Sequence, residues 1–500
     1  MKVEIIVVTG DVRSVQARLG QPLLHVLFEA NLSQGWALCA GAGSCGKCRI
    51  RFLDHAPQAQ CEEHALIQQE DLEHGWRLAC KHVVTRDCRI QLRTLPRQRS
   101  TSEEGELLAI DVGTTRIKWA VDGKRNRAVE HAMINPQMGV GSEIMSRLSY
   151  ALSSETAQSH LREVLVSAIK QLVKDSGARS LAVGGNTTMI AMLLGLPLQG
   201  LAFAPYTLPW RGDETVGLGN GLPPAYVPPL LGPFIGADIS AGLAAVCAKE
   251  PEYPYLLADL GTNGEFVLAV DEDHFFAASV PMGPAIEGVG LCCGSMAGDG
   301  VVSKVRVGQK GLHVDVQGAM AGISGTGYVS LLAVLRRIGL LDEDGHFQVS
   351  SSIPLTQQIA SKIGAHPLGK ILQLNEEIFL AERDVEEFLK AKAAVNVAIG
   401  SLVRRTGLGV ADINSIYLAG ALGEYADCLD LMELGFFPRC WQERILVEGN
   451  TSLAGLMLAL EKLEVREWLS NLPLKVSVEN LVEQEDFETH FLNAMRFVWM

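Results

Sequence analysis

The chain has 500 residues, a formal charge of −14 and 48% hydrophobic residues, which together predict several folded domains and argue against extensive disorder. The negative charge argues against a nucleic-acid partner and an anionic membrane surface, and no apolar run is long enough to span a bilayer. Eleven cysteines and an N-terminus without a signal-peptide pattern predict a reducing, cytoplasmic setting, where clustered cysteines more often bind metal than form disulfides.

The first hundred residues follow the order of a small sheet that grasps one helix. Alternating apolar residues predict strands at 1–8, 14–19, 47–53 and 88–92, with a helix at 22–30. A charge-rich stretch with no hydrophobic period follows and is typical of a linker. We therefore predict an α+β, β-grasp ferredoxin-like domain over residues 1–94 and a linker over 95–106.

A glycine-rich cysteine loop interrupts this domain. Residues 38–50 read L-C-A-G-A-G-S-C-G-K-C-R-I and contain Cys39, Cys45 and Cys48, while Cys80 follows in R-L-A-C. The C-x5-C-x2-C spacing with a distant fourth cysteine is close to that of plant-type [2Fe–2S] ferredoxins. A zinc site is the alternative, but such sites usually pair two C-x2-C knuckles and only one is present. The spacing favours a [2Fe–2S] cluster held by these four thiolates.

Two similar hairpins are predicted at residues 107–121 and 256–270. Each has an aspartate near a strand end and glycine and threonine in the turn: Asp111 and Gly113 in the first, Asp259, Gly261 and Thr262 in the second. Glycine lets backbone amides approach a polyphosphate, and an aspartate at a strand end can hold Mg²⁺. A pair of such hairpins favours phosphate binding in a duplicated fold over two ordinary turns.

A third segment, residues 415–425, carries a hydrophobic strand into Gly420 and Gly423, which suits a turn against an adenosine. Residues 236–245 and 449–458 are rich in small residues and fit two helices that cross between halves. This order resembles the actin, sugar-kinase and Hsp70 superfamily. The resemblance implies an α/β, duplicated actin-like (ribonuclease H-like) ATPase domain over 107–500, with halves at about 107–235 and 236–500.

Three further segments lie between these landmarks. Asn186 and Thr187 follow a predicted strand in G-G-N-T-T-M and are expected to cap a helix rather than bind a ligand. Glycine loops at 283–294 and 322–327 are expected near the cleft. The adjacent Cys292 and Cys293 are expected to be buried thiols, with a cluster shared across a dimer interface as the alternative.

The combination of the cluster loop, N-P-Q…M-S-R, G-G-N-T-T-M, D-L-G-T-N-G-E and G-P-A-I-E-G resembles the reductive activators of corrinoid-dependent proteins over nearly the whole chain. The resemblance implies ATP-dependent reduction of an inactive Co(II) corrinoid protein to Co(I), with Mg²⁺ as ATP's partner ion. It also implies a corrinoid protein of a methyltransferase system, a reductase or ferredoxin as electron donor, and a homodimer. The C-terminal cysteines for [4Fe–4S] clusters found in some relatives are not present after Cys440.

The same resemblance assigns roles to individual residues. Cluster ligation falls to Cys39, Cys45, Cys48 and Cys80. Phosphate or Mg²⁺ contacts fall to Asp111, Gly113, Thr114, Thr115, Asp259, Gly261, Thr262 and Asn263, and adenosine contacts to Gly420 and Gly423. Glu265 or Glu287 is expected to orient the attacking water.

Other functions stay open at this point. An activator of a different low-potential or radical enzyme, such as a dehydratase, would use the same modules. A nucleotide-gated ferredoxin would hold ATP without hydrolysing it. A small-molecule kinase is disfavoured because it leaves the cluster domain without a role.

Overall fold

The computed structural model describes residues 1–7, 11–32, 41, 43, 46–92, 104–122, 129–141, 143–219, 221–484 and 486–500. Within them lie one five-stranded sheet near the N-terminus and two six-stranded sheets in the remaining chain, which we call the body. In this described part, no helix is long and apolar enough to cross a membrane.

The N-terminal sheet has the spatial order Val12–Gln16, Lys2–Ile6, Cys88–Leu92, Arg49–Phe52 and Trp76–Leu78. Lys2–Ile6 and Cys88–Leu92 run parallel, and the other neighbouring strands are antiparallel. Helix Leu23–Glu29, the dock helix, packs four apolar side chains into the core under this sheet. Shorter elements complete the domain: helices Cys61–Leu66 and Gln69–Glu73 and the 3₁₀ turn Ala79–Lys81. The predicted sheet that grasps one helix is confirmed, although Trp76–Leu78 was not predicted.

Five strands of each body sheet share one topology, and the sixth strand lies at opposite edges of the two sheets. The first has the order Glu214–Val216, Ala225–Val227, Ser180–Gly184, Leu107–Val112, Arg116–Val121 and Val129–Ile134. The second has the order Ile445–Gly449, Ser415–Ala419, Tyr255–Leu260, Asn263–Ala269, Phe275–Pro281 and Val476–Val478. In each, a three-stranded antiparallel meander pairs through its first strand with a later, parallel strand. The predicted duplication and its two D-x-G-T hairpins are therefore confirmed.

Helices cover the faces of these sheets. The bridging helix, Ile144–Ala151, and the 3₁₀ segment Pro136–Val140 lie beside the first sheet and the dock helix. The other body helices are Glu155–Ser176, Thr187–Leu194, Gln199–Ala202, Ala237–Cys247, Gly325–Arg337, Pro354–Ala360, Glu382–Thr406, Gly420–Tyr425, Cys428–Glu433, Thr451–Glu461, Leu463–Lys475 and Phe487–Ala494. Short accessory strands lie at Val301–Val302, Lys304–Gly308, Gly311–Asp315, Gly322–Ile323, Ile363–His366, Gly369–Gln373 and Phe379–Ala381.

Helices Ala237–Cys247 and Thr451–Glu461 cross between the two halves in close backbone contact. A Cβ atom on Gly455 would lie 1.7 Å from the carbonyl oxygen of Ala241, well inside van der Waals contact. The predicted pair of small-residue helices is thus present, and glycine is required where their backbones meet.

We expect Gly455→Ala to lower the free energy of unfolding by about 1–3 kcal/mol or more, since the added methyl group must push the two helices apart. Thermal and urea unfolding would measure the change. Gly217→Ala is the matched control, because a Cβ there meets no atom within 4 Å. Equal unfolding midpoints for the two variants would contradict the close crossing.

Candidate functional site

A cavity of about 790 Å³ opens between the two body sheets, a volume suited to a nucleotide-sized ligand. Most of the predicted nucleotide and catalytic residues line it: Asp111, Gly113, Thr114, Thr115, Asp259, Gly261, Thr262, Asn263, Glu265, Glu287 and Gly420. The fold therefore brings together residues that lie far apart in the chain. Their individual roles toward a nucleotide stay predictions.

The two hairpin turns face each other across the cavity and touch through their threonines. Thr115 Oγ1 lies 3.1 Å from Thr262 Oγ1, and Thr262 Oγ1 donates to Glu287 Oε1 at 2.5 Å. These hydroxyls converge on one point between the halves. A phosphate group placed there would find donors from both sides of the cleft.

The two glycines of the third segment have different surroundings. Gly420 has a φ of +81°, and a Cβ there would lie 2.4 Å from Asp259 Oδ1. It therefore lets a helix start directly against the second hairpin. Gly423 lies inside that helix, where a Cβ would meet Leu418 Cγ at 2.8 Å, and it is absent from the cavity lining. Packing accounts for Gly423, and its adenosine contact stays a prediction.

Four carboxyl groups gather at the floor of the cavity. Burial, followed by the charges of Asp111 and Asp259, raises the pKa of Asp238 to about 8. Burial and Asp111 raise the pKa of Asp259 to about 6, and burial with Asp238 raises that of Glu265. The pKa of Asp111 is also raised by burial, although a hydrogen bond from Asn450 opposes the shift. Among the described residues no three of these groups lie close enough to ligate one metal ion together, so the set fits a Mg²⁺ ion that keeps several of its waters and contacts one or two carboxylates.

Asp238 and Asn450 were missed as site residues. Asp238 lies in the first turn of helix Ala237–Cys247, and Asn450 caps helix Thr451–Glu461. Asn450 Nδ2 donates to Asp111 Oδ2 at 3.0 Å. Both belong to segments that the sequence analysis assigned to helix crossing, and the only available signal was a polar residue at the start of each small-residue helix.

The first hairpin turn, residues 113–115, is held in place by contacts from the N-P-Q…M-S-R segment. Asn135 Nδ2 donates to the carbonyl oxygen of Gly113 at 2.8 Å, and Arg147 Nη2 donates to that of Thr114 at 2.5 Å. Asn135 and Arg147 are fully buried. Asn186 caps its helix as predicted, accepting from the Met189 amide, and its Nδ2 also donates to Thr114 Oγ1 at 3.1 Å.

Of the four predicted cluster ligands, Cys48 and Cys80 are described, whereas Cys39 and Cys45 lie outside the described residues. Cys48 is buried and Cys80 is half-buried in the turn Ala79–Lys81. The Ala79 amide donates to the carbonyl oxygen of Cys48 at 2.9 Å. The backbone thus brings the third and fourth predicted ligands to the same end of the sheet, which fits a cluster held there.

In the body, Cys293 is buried and Cys292 is half-buried. The Cys292 amide donates to Asp384 Oδ1 at 3.0 Å, and the Phe379 amide donates to Cys293 Sγ at 3.4 Å. Burial raises the pKa of both thiols, that of Cys293 to about 11. Among the described residues, no group of three or more His, Cys, Asp or Glu could hold a metal ion. The expected buried thiol is therefore found at Cys293, whereas Cys292 is partly exposed.

The fold and site define an actin-like ATPase body joined to a ferredoxin-like cluster domain. Comparison with known families agrees region by region. A 2Fe-2S iron-sulfur cluster binding domain matches residues 6–85, the RACo middle region matches 107–249, and the C-terminal domain of RACo, the ASKHA domain, matches 254–500.

Individual relatives extend this agreement. The corrinoid activation enzyme RamQ of Eubacterium limosum is 27% identical over 78% of this chain and 70% of its own length. The [Co(II) methylated amine-specific corrinoid protein] reductase of Methanosarcina barkeri is also 27% identical, over 78% of this chain and 76% of its own. A solved reductive activator for corrinoid, iron–sulfur protein covers 99% of this chain and 98% of its own, with a TM-score of 0.68 and 22% identity, and so shares the fold. The chain belongs to the reductive activators of corrinoid-dependent proteins.

The acidic floor predicts a pH-dependent effect of Asp238→Asn on stability in metal-free buffer. Because the folded pKa of Asp238 is raised to about 8, the folded protein retains a proton that the unfolded chain releases near pH 4, and wild-type stability falls as pH rises between these values. We therefore expect the free energy of unfolding of Asp238→Asn, relative to that of wild type, to rise by more than about 1 kcal/mol between pH 5 and pH 8.5.

Denaturant unfolding at both pH values would measure this gain. The exposed Asp299 provides the control substitution, Asp299→Asn, for which no such pH-dependent gain is expected. A gain for Asp238→Asn that is the same at pH 5 and pH 8.5 would show that the carboxyl is not strained by its neighbours.

Proposed function

We propose that this protein hydrolyses ATP to make possible the one-electron reduction of a Co(II) corrinoid protein to Co(I). The observation that carries the proposal is the union, in one chain, of a cavity between duplicated D-x-G-T hairpins with a ferredoxin-like domain that gathers Cys48 and Cys80 at one end. Relatives over most of the chain are a corrinoid activation enzyme and a corrinoid protein reductase, which supports the same substrate class.

In the cavity, the turns at 113–115 and 261–263 would hold the phosphates, and Asp111 and Asp259 would hold Mg²⁺. Asp238 lines the cavity close to Asp111 and Asp259 and is the general base that we propose. Glu265 and Glu287 also line the cavity, and Glu287 accepts from Thr262 and would position that hydroxyl. Water attacks the terminal phosphate, and ADP and inorganic phosphate leave.

In the N-terminal domain, Cys39, Cys45, Cys48 and Cys80 would hold a [2Fe–2S] cluster, which supplies a single electron when reduced. A reductase or ferredoxin donates that electron, and the cobalt of the partner protein accepts it. ATP contributes through linkage, since a nucleotide-dependent state can favour the complex in which cobalt is reducible.

We further propose the domain division 1–94, 95–106 and 107–500, with 107–235 and 236–500 as the halves of the body. The regions matched by family comparison, 6–85, 107–249 and 254–500, support a similar division. A homodimer and a cytoplasmic setting complete the proposal, the latter supported by the eleven cysteines.

The proposal predicts that ATP hydrolysis by the cluster-loaded protein accelerates when a Co(II) corrinoid protein is added, and that Co(I) absorption grows only with ATP and a reductant present. Coupled phosphate release and cobalt spectroscopy would measure the two together. The same corrinoid protein held as methyl-Co(III) is the control. An ATPase rate that ignores every corrinoid partner would contradict the proposal and favour a nucleotide-holding switch.

Cys45→Ser is expected to abolish cobalt reduction while leaving nucleotide affinity within about twofold of wild type, because the loop and the cavity belong to different domains. Cys61→Ser is the matched control, since Cys61 is exposed and starts a separate helix. Loss of nucleotide binding in Cys45→Ser would show that the cluster itself is needed to hold the nucleotide.

Asp238→Asn should lower kcat for ATP hydrolysis by about 10²–10⁴-fold with little change in nucleotide affinity, as expected for loss of a general base. Steady-state ATPase assays and nucleotide titration would separate the two effects. A variant that retains more than about a tenth of the wild-type kcat would move the role to Glu265 or Glu287.

A further inference from the structure

The bridging helix, Ile144–Ala151, contacts both the turn 113–115 of the first hairpin and the ferredoxin-like domain. Arg147 donates to the carbonyl oxygen of Thr114, and Tyr150, three residues later, packs against the dock helix. With eight residues, this helix is little more than two turns long, so Arg147 and Tyr150 move together as parts of one rigid element.

On the nucleotide side, the contacts set the direction of backbone donors. Asn135 holds the carbonyl of Gly113 and Arg147 holds that of Thr114. In a trans peptide the C=O and the following N–H point in opposite directions, so these contacts also orient the amides of Thr114 and Thr115. These amides belong to the turn that lines the cavity.

Among the described residues, Arg147 forms no salt bridge with a carboxylate, although the charge of Glu287 acts on its guanidinium. Its guanidinium donates to the carbonyl oxygens of Gly141 and Thr114 and lies within reach of Gln137 Oε1, and burial lowers its pKa to about 9. A buried cation of this kind is stabilised by negative charge placed nearby. A polyphosphate on the adjacent turn would supply that charge.

On the ferredoxin side, the contact is aromatic. Phe28 of the dock helix is 2% exposed, and its ring lies edge-on to Tyr150 and His160 at 5.7 and 5.0 Å between centroids. His25 meets Tyr150 at 4.9 Å, and Tyr150 Oη donates to Glu29 Oε1 at 3.3 Å. Phe28 belongs to the hydrophobic core of the body, whereas the other buried residues of the dock helix belong to the core of the ferredoxin-like domain: Leu23, Leu24, Val26 and Leu27.

The opposite side of the dock helix reaches the cluster end of its domain. It packs against the turn Ala79–Lys81, which carries Cys80. An unbroken series of contacts therefore runs from the Thr114 carbonyl through Arg147, the bridging helix and Phe28 to the Cys80 turn.

We propose that docking of the ferredoxin-like domain on the bridging helix and nucleotide binding at the turn 113–115 stabilise each other. The inference rests on the proposed function and adds the route by which the ATP site and the cluster domain communicate. Docking holds the bridging helix in the position from which Arg147 orients the turn, and bound phosphates secure Arg147 in that position. By thermodynamic reciprocity, loss of the dock must weaken nucleotide binding.

The test is a titration of full-length, cluster-loaded protein with the Mg²⁺ complex of a non-hydrolysable ATP analogue, by calorimetry. Phe28→Ala should weaken the affinity about fivefold or more. Phe203→Ala is the matched control, because Phe203 is 66% exposed and should leave the affinity unchanged. In wild type, the analogue should also slow hydrogen exchange in the dock helix, and Phe28→Ala should remove this protection.

Tyr150→Phe provides a milder second variant, which removes only the hydrogen bond to Glu29 and should weaken binding about twofold or more. It decides the question if Phe28→Ala loses the cluster's visible absorption. Unchanged or tighter binding in a variant whose absorption is intact would overturn the coupling and leave the proposed function standing. Absence of analogue binding to wild type would overturn the proposed function and the coupling together.

Discussion

The structure of the cleft depends on the backbone contact between helices Ala237–Cys247 and Thr451–Glu461. Gly455 lets the second helix lie directly on the Ala241 carbonyl, and this fixes where both helices begin. Asp238 stands in the first turn of one helix, and Asn450, at the start of the other, donates to Asp111. The contact that joins the halves therefore also sets the acidic floor of the cavity, so relative motion of the halves must change the spacing of these groups.

The carboxyl groups at the floor of the cavity favour the binding of a cation. Asp111, Asp238, Asp259 and Glu265 all have raised pKa values, and the main positive charge acting on Asp111 and Asp259 is that of Lys118. Lys118 also forms a salt bridge with Glu130, with 3.4 Å between Nζ and Oε1. One ammonium group does not neutralise this set. A divalent ion carrying a nucleotide would relieve the repulsion between the carboxylates, which couples ligand binding to the stability of the closed cleft.

The features that could be predicted from sequence are those with a local signal. Each D-x-G-T turn lies between two short apolar strands, so both hairpins and the duplication followed from pattern and repetition. The third strands Val129–Ile134 and Phe275–Pro281 carry weaker alternation and become strands because a sheet edge is available to them. Asp238, Asn450 and Arg147 are functional or positioning candidates only through contacts with residues far away in the chain. Gly420 and Gly423 look alike in sequence, and only tertiary packing distinguishes the close approach at Asp259 from packing against Leu418.

The contacts between the ferredoxin-like domain and the body, the dock, are weak enough for the domain to detach and specific enough to respond to the nucleotide site. Its described contacts are Phe28 in the core of the body, the packing of the dock helix against Pro136–Val140, a few aromatic edges and one hydrogen bond to Glu29, which together are small compared with the separate cores on either side. Contacts of this kind within a chain are typical of domains that move relative to one another. Lys47, next to Cys48 in sequence, acts electrostatically on the thiol of Cys293, so this end of the ferredoxin-like domain lies near the body. Delivery of an electron to a separate protein requires this end of the domain to be accessible to the partner, and a dock whose strength depends on the nucleotide would tie that accessibility to the state of the ATP site.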